Sequence, residues 1–366
     1  MIGMNEEEVV RLFLKNGFQI SKNALGLASK NPEIVISHFK KIKNRPFIIT
    51  EQHIKEVLGE ISKKPINVKL IKEYTFDRTP TSVDDYIKEL SSRYEKIKSF
   101  LLKQMMPKKL VSINKIGLKT TKFSLIGLVR EKNDISMLIE DPTGEINLYV
   151  DENIKGELKN VLLDDVVGVQ CKKIKEKYYI EKIFYPDILS SRNISKTKDE
   201  IKIAVAHAPL DLTEPKCKKL VDHLSTIENL SVLFLFSYVE KAYTNNVFSK
   251  FNLIQILHNP VPKLFQLDEI KFLVVPKPFF EGYTEPVITS EIFLSILKRR
   301  ELFAPAISKI QKHKKFILDD PPDIIISNFD GPFCQNYKGT TIISNSNPQK
   351  IFIANLKTRE VHETSI

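Results

Sequence analysis

KFLVVPKPFFEGYTEP (residues 271–286) joins a short apolar run to a loop of proline and phenylalanine. Three other segments repeat the plan: IKIAVAHAPLD (201–211), VLFLFSYVEKAY (232–243) and PDIIISNFDGPFCQNYKGTTIISN (322–345). Each reads as a buried strand that ends in a loop. They alternate with helical stretches, KCKKLVDHLSTI (216–227) and SEIFLSILKRRELF (290–303), which predicts a layered α/β domain over 201–366. Metal-dependent phosphoester cleavage would need Asp, Asn and His on those loops. They carry mainly Val, Ser, Pro, Phe and Gly instead, with His207, Asp211, Glu240, Asn328 and Asp330 among the exceptions.

Outward from that domain, residues 191–200 are polar and charged and read as a linker. Residues 107–190 switch to a period of two. KFSLIGLVRE (122–131), DISMLIE (134–140), EINLYV (145–150), LDDVVGVQCKKI (163–174) and YYIEKIFYP (178–186) are the strand candidates. Asp141-Pro142-Thr143-Gly144 makes a turn, and DENIKGELKN (151–160) makes a short helix between the third and fourth strands. That order is the pattern of an OB barrel.

Residues 63–106 read as a linker with one candidate strand, followed by an amphipathic helix over 83–104. Its Val83, Tyr86, Ile87, Leu90, Tyr94, Ile97 and Leu101 fall three or four apart on one face. Residues 1–62 form a small helical domain. Asn5 caps an acidic first turn, Gly17 ends the first helix, and Pro32 opens another. A further helix follows Thr50 over TEQHIKEVLGEI. The whole is a multidomain α+β chain.

The net charge is +11 with a sequence pI of about 9.2, which favours polyanionic partners such as DNA or RNA. Cys171, Cys217 and Cys334 form no CxxC pair, which excludes a zinc ribbon and a disulfide framework. No apolar run is long enough to span a bilayer, and the acidic start MIGMNEEEVV is unlike a signal peptide. A soluble, cytoplasmic protein without a membrane partner is expected.

Several ordered segments resemble the small subunit of the archaeal D-family DNA polymerase, a family related to the B subunits of eukaryotic replicative polymerases. DDYIKELSSRYEKIKSFL (84–101) is similar to the family's helix ahead of the barrel. LIEDPTGEINLYV (138–150), DDVVGVQ (164–170) and IFYPDI (183–188) resemble its OB domain. FLVVPKPFFEGYTEP (272–286) stands where the family has a Pro-Gly-Asn-His-Asp loop and a Glu-Pro pair. ILKRRELFAP (296–305) and residues 321–347 resemble its final stretch.

The resemblance implies a calcineurin-like metallophosphoesterase sandwich at 201–366, built in the family around two divalent metals, Mn or Mg. Four family motifs can be laid on this chain. Asp-x-His becomes Val205-Ala206-His207, and Gly-Asp-x-x-Asp becomes Phe236-Ser237-Tyr238-Val239-Glu240. Gly-Asn-His-Asp becomes Lys277-Pro278-Phe279-Phe280, and Gly-His-x-His becomes Asn328-Phe329-Asp330-Gly331. His207 remains, with Glu240 as a second candidate; a further lone His has no counterpart near 286–290. A two-metal site needs carboxylates and imidazoles to hold its cations and lower the pKa of a bridging water. Val, Phe, Pro and Gly side chains donate no lone pairs, so the motif positions imply no catalytic residue and no metal site.

His207 reads either as a surviving ligand or as a histidine hydrogen-bonded at a strand end. Glu240 with Asp330 and Asp211 leaves a weak single-ion site as the alternative. His258 and His313 lie outside the motifs, and neither a nucleophile elbow nor a P-loop is present. For DNA contact the barrel offers Lys119, Lys122, Arg130 and Lys132, with Phe123 as the stacking candidate, and Lys172 and Lys173 on its last hairpin. A solvated lysine face is the competing explanation.

The leading expectation is a non-catalytic accessory subunit of a replicative DNA polymerase, paired as a heterodimer with the large catalytic subunit. DNA is the expected partner and the sliding clamp a further candidate. Through that complex the chain would be nucleoid-associated. Two alternatives stay open: a residually active 3'-5' exonuclease subunit, and a free-standing single-stranded DNA-binding OB protein.

Overall fold

The computed structural model describes residues 5–29, 31–42, 46–54, 57, 66–75, 82–105, 109–158, 160–208, 214–237, 248, 251–256, 261–280, 289–302, 316–329 and 331–366. The chain divides into two compact units, 1–67 and 68–366.

The first unit contains α1 (Glu6–Lys15), α2 (Lys22–Ala28) and α3 (Pro32–Lys41). Asn5 and Glu8 close a capping box on α1, whose three leading glutamates face the positive end of the helix dipole. Gly17 follows the helix at φ +81°, a left-handed conformation that suits glycine. Val9, Phe13, Val35, Phe39 and Ile54 are buried at the centre of this unit. Residues 51–54 are helical, while most of the rest of the expected helix lies outside the described residues. Two short strands absent from the sequence reading, β1 (Gln19–Ile20) and β2 (Ile48–Ile49), pair in parallel. A two-residue strand has no period to detect, so only the tertiary pairing reveals it.

In the second unit, β4 (Lys122–Lys132), β5 (Ser136–Asp141), β6 (Gly144–Val150), β7 (Val166–Ile174) and β8 (Lys177–Phe184) close a barrel in the order β4-β5-β6-β8-β7. Leu125, Met137, Ile139, Leu148, Val169 and Ile180 alternate inward and fill it. The turn before β6 is held by Asp141, which accepts from the Thr143 N–H at 2.7 Å and the Ile113 N–H at 2.9 Å. Helix α5 (Lys155–Leu158) sits between the third and fourth strands.

Helix α4 (Val83–Met105) lies on the outside of this barrel. Ile97, Leu101 and Met105 pack on Ile126 and Val166, and the Tyr94 hydroxyl donates to the Ile126 carbonyl at 2.9 Å. A Cβ at Gly168 would collide with the Met105 side chain, so glycine is what lets the helix end approach β7.

The remainder builds two facing sheets and a separate antiparallel pair, β14 (Glu301–Leu302) with β15 (Phe316–Ile317). β9 (Lys202–His207), β10 (Leu230–Phe236), β11 (Asn252–Ile256), β19 (Lys350–Asn355) and β20 (Val361–Ser365) run in the order β11-β10-β9-β19-β20. The second sheet contains β3 (Lys69–Glu73), β12 (Lys263–Leu267), β13 (Ile270–Val275), β16 (Ile324–Ser327), β17 (Phe333–Tyr337) and β18 (Thr340–Ser344), ordered β17-β18-β16-β13-β12-β3. Phe234 of one sheet meets Phe272 of the other at a ring separation of 5.5 Å. The opposite faces carry helices. Leu220 and Leu224 of α6 (Glu214–Ser225) cover Ala204, Ala206 and Leu233, while Phe293, Ile296 and Leu297 of α7 (Thr289–Arg299) cover Leu273, Val275 and Ile325. Strands buried on both faces explain the unbroken apolar runs of the sequence.

Both segments read as linkers take part in the sandwich. β3 joins it as an edge strand paired to β12. Arg192, inside 191–200, donates to Asp323 at 2.6 Å and to the Pro322 carbonyl at 3.0 Å. Barrel and sandwich are further joined by two buried ion pairs. Arg93 of α4 binds Glu301 in bidentate fashion at 2.5 and 2.8 Å, and Arg299 of α7 donates to Asp165 at 2.9 Å.

Glu301→Ala would strand the buried Arg93 and is expected to lower stability by about 3–5 kcal/mol in urea unfolding. The Arg93→Met, Glu301→Leu double variant removes both charges together and should recover most of that loss.

Candidate functional site

Parallel strands that end side by side present their next residues to a common surface, which is where sheets of this kind hold functional groups. Here β9 and β10 end in register at His207 and Phe236, and β13, β16 and β18 end together at Val275, Ser327 and Ser344. The Asn345 amide bridges the sheets, donating to the Val205 carbonyl at 3.2 Å and the Lys350 carbonyl at 2.7 Å. Asn345 directly follows β18 and Val205 lies two residues from the end of β9, so the bond between them brings the two sets of strand ends together.

The polar side chains at these ends hold backbone. Ser327 donates its hydroxyl to the Val275 carbonyl at 2.6 Å and accepts the Phe329 N–H at 3.1 Å. Ser344 donates to the Phe329 carbonyl at 2.6 Å, and Asn328 accepts the Lys277 N–H at 2.7 Å. Ser327, Asn328, Ser344 and Asn345 are all buried, so each bond replaces a lost hydration shell.

The loops themselves are aromatic. Residues Lys277–Phe280 form one turn of 3-10 helix with Pro278, Phe279 and Phe280 buried. Phe280 lies 4.7 Å from Phe329, 5.3 Å from Phe279 and 5.5 Å from Phe293, measured between ring centres. This cluster continues the core under α7 up to the strand ends.

Among the motif positions, Val205 is fully buried within β9 and contributes only its carbonyl. His207 is half-buried at the end of the same strand. Ser237 is buried just beyond β10, its N–H donating to the Ile256 carbonyl at 3.0 Å. Phe279 and Phe329 belong to the aromatic cluster, Pro278 is buried in the 3-10 turn beside it, and Gly331 takes a left-handed φ of +64°. Glu240, Asp330, Asp211, His258 and His313 lie outside the described residues. Among the described residues no group of three from His, Cys, Asp and Glu is placed to hold a metal ion. Among the described residues the donor set at these strand ends is one imidazole beside phenyl rings and committed amides, which by itself does not fit a pair of divalent cations.

Burial holds the His207 imidazole below its ordinary value of 6.5, opposed by a hydrogen bond involving the Ala208 backbone and reinforced by Lys277. The group is therefore neutral near pH 7.

The barrel gives a different picture from its sequence. Phe123 is buried and packs edge-on against Tyr178 at 5.2 Å, so it offers no free ring face for stacking. Arg130 pairs with Glu140 at 2.9 Å, and Lys132 donates to the Val161 carbonyl. Lys172 is held between Asp151 at 3.1 Å and Glu181 at 3.2 Å, while Lys173 donates to the Leu118 carbonyl at 3.0 Å. Lys119 and Lys122 remain exposed. The sequence reading passed over Tyr149 and Tyr179, neighbours in the β6–β8 register with rings 5.7 Å apart. Their signal was parity: Leu148, Val150 and Ile180 point into the barrel, so the tyrosines between them point out.

No known family profile matches the chain. Over 216 residues it is 23% identical to the DNA polymerase II small subunit of Archaeoglobus fulgidus, an alignment covering 52% of this chain. The match spans 44% of that relative, less than half its length. Among solved structures, Chaetomium thermophilum Vps29 in complex with a cyclic peptide aligns with a TM-score of 0.27 and 10% identity, over 46% of this chain and 96% of that one. YjeQ from Thermotoga maritima aligns at 0.14 and 13%, over 36% and 51%. At these scores neither structure carries weight, and the architecture rests on the strand order described above. Among the described residues no helix is long and apolar enough to cross a membrane.

Phe280→Ala empties the centre of the aromatic cluster and should cost about 3–5 kcal/mol of stability, read by chemical denaturation. The His207 contribution to stability is complete above the unfolded-state pKa near 6.5 and is lost as pH falls through the depressed folded value. His207→Asn is accordingly expected to flatten the acid side of a Tm-versus-pH curve.

Proposed function

We propose that this chain is a non-catalytic accessory subunit of a replicative DNA polymerase. In this reading the barrel is an OB fold and the sandwich a calcineurin-like phosphoesterase frame from which the metal site has been lost. The order β4-β5-β6-β8-β7, with a short helix before its fourth strand in sequence, supports the first assignment. Two facing sheets with a helix on each outer face support the second.

The observation that carries the proposal is the Phe279–Phe280–Phe329 cluster at strand ends where the related frame would hold cations. Hydrophobic side chains there stabilise the domain and donate nothing to a metal or a water. The distant likeness to an archaeal polymerase small subunit supplies the biological setting. Polymerisation would then belong to a large catalytic subunit bound through the barrel and the sandwich. DNA and the sliding clamp are further partners of the assembled enzyme.

Two measurements test this. The purified full chain with manganese and single-stranded DNA should show no metal-dependent digestion above background. Co-expression with a D-family large subunit encoded in the same genome should yield an equimolar complex. Digestion abolished by His207→Ala would overturn the non-catalytic assignment and favour a residual exonuclease. Failure to form the complex would overturn the subunit assignment and favour a free-standing binding protein.

A further inference from the structure

We infer that one end of the barrel, built by residues 115–122 and the β7–β8 hairpin 172–182, binds single-stranded nucleic acid. This deepens the DNA-binding part of the proposed function and names its site, and it stands without the partner subunit. The two segments contain eight lysines and two glutamates, a net +6 from 19 residues of a chain whose total is +11. Such a concentration attracts a polyphosphate and gains from the release of its counterions.

The structure gathers this charge into one surface. Lys122 and Lys172 are direct partners across β4 and β7. The Lys173 N–H donates to the Thr121 carbonyl at 2.7 Å, and the Tyr178 hydroxyl to the Gly117 carbonyl at 3.2 Å. Lys172 and Lys173 are spent on holding the segments together, as their partners Asp151, Glu181 and Leu118 indicate. Lys115, Lys119, Lys122, Lys175 and Lys177 form no ion pair among the described residues and are available to phosphates.

Next to these cations lies an aromatic platform. Tyr149 and Tyr179 are partly exposed, with ring planes 36° apart, and the Lys177 ammonium stands 4.3 Å above the Tyr149 ring. Leu118, 86% exposed, projects from the lysine-rich loop. Unpaired bases stack on such rings while lysines follow the backbone, and bases inside a duplex are not free to do so. That pairing of ring faces with cations favours a single strand over an acidic protein surface, which would need the lysines alone.

The test is fluorescence anisotropy of the full chain with labelled oligo-dT and oligo-rU of about 20 nucleotides, and a duplex of equal length, across about 50–200 mM salt. Binding of either single strand, about tenfold tighter than of duplex, is the expected result. Lys119→Glu with Lys177→Glu should weaken it about tenfold or more and flatten the salt dependence, whereas Lys357→Glu, on the sandwich, should not. Tyr149→Ala with Tyr179→Ala should weaken it about tenfold, and the matching Phe substitutions should restore it. Variants are compared only where thermal melting matches the parent. Equal binding of duplex, or indifference to the tyrosine pair, overturns the assignment. So does a lysine reversal that leaves oligonucleotide binding intact but abolishes capture of the large subunit, which would make this end of the barrel a protein interface.

Discussion

Two guanidinium–carboxylate pairs, shut away from water, govern how the barrel and the sandwich are joined. Arg93 belongs to the helix that packs on the barrel, yet its partner Glu301 follows the helix that packs on the sandwich. Arg299 ends that second helix, and its partner Asp165 lies on the barrel. The pairs thus cross the contact in opposite senses. Burial alone would lower the Arg93 guanidinium, and its bonds to Glu301 outweigh that and raise it. Burial instead pushes the Asp165 carboxyl up against the pull of Arg299. Each charge is tolerable only while its partner is in place, which makes the contact intolerant of small displacements. Such pairs add little net stability over well-packed apolar residues, and their value here is in fixing one arrangement.

Much of this architecture was legible in the chain. Period-two stretches between 122 and 186 gave the barrel strands, and unbroken apolar runs such as VLFLF gave strands buried on both sides. The apolar stripe of α4 gave the helix, although its leading Val83, Ile87 and Leu90 remain exposed. What escaped was set by distant partners. The candidate strand ahead of α4 becomes an edge of the sandwich, as β3, because β12 lies beside it, and Arg192 is fixed because Asp323 is buried opposite. Neither fact has a local signal.

The candidate site divides along the same line. That Val205, Pro278, Phe279 and Phe329 bring no metal-binding side chain follows from residue type alone, since no neighbour can turn a phenyl ring or a valine into a ligand. That the rings of Phe280 and Phe329 meet, and that Ser327, Asn328 and Ser344 are consumed by loop carbonyls and amides, required the fold. On the barrel, residue type misled. Phe123 and Tyr149 are both aromatic strand residues, but parity buries one ring and turns the other outward. Likewise the charge of Lys172 was visible, and its capture by Asp151 and Glu181 was not.

β3 ends the six-stranded sheet with every residue exposed, including Leu70 and Ile71. Among the described residues no strand pairs with its outer side, and an edge carrying apolar side chains is a template on which a second copy could align. Lys69, Lys72 and Glu73 interrupt it, and charges on an edge oppose pairing with an identical strand. The same few residues that extend the sheet therefore also guard the protein against edge-to-edge aggregation.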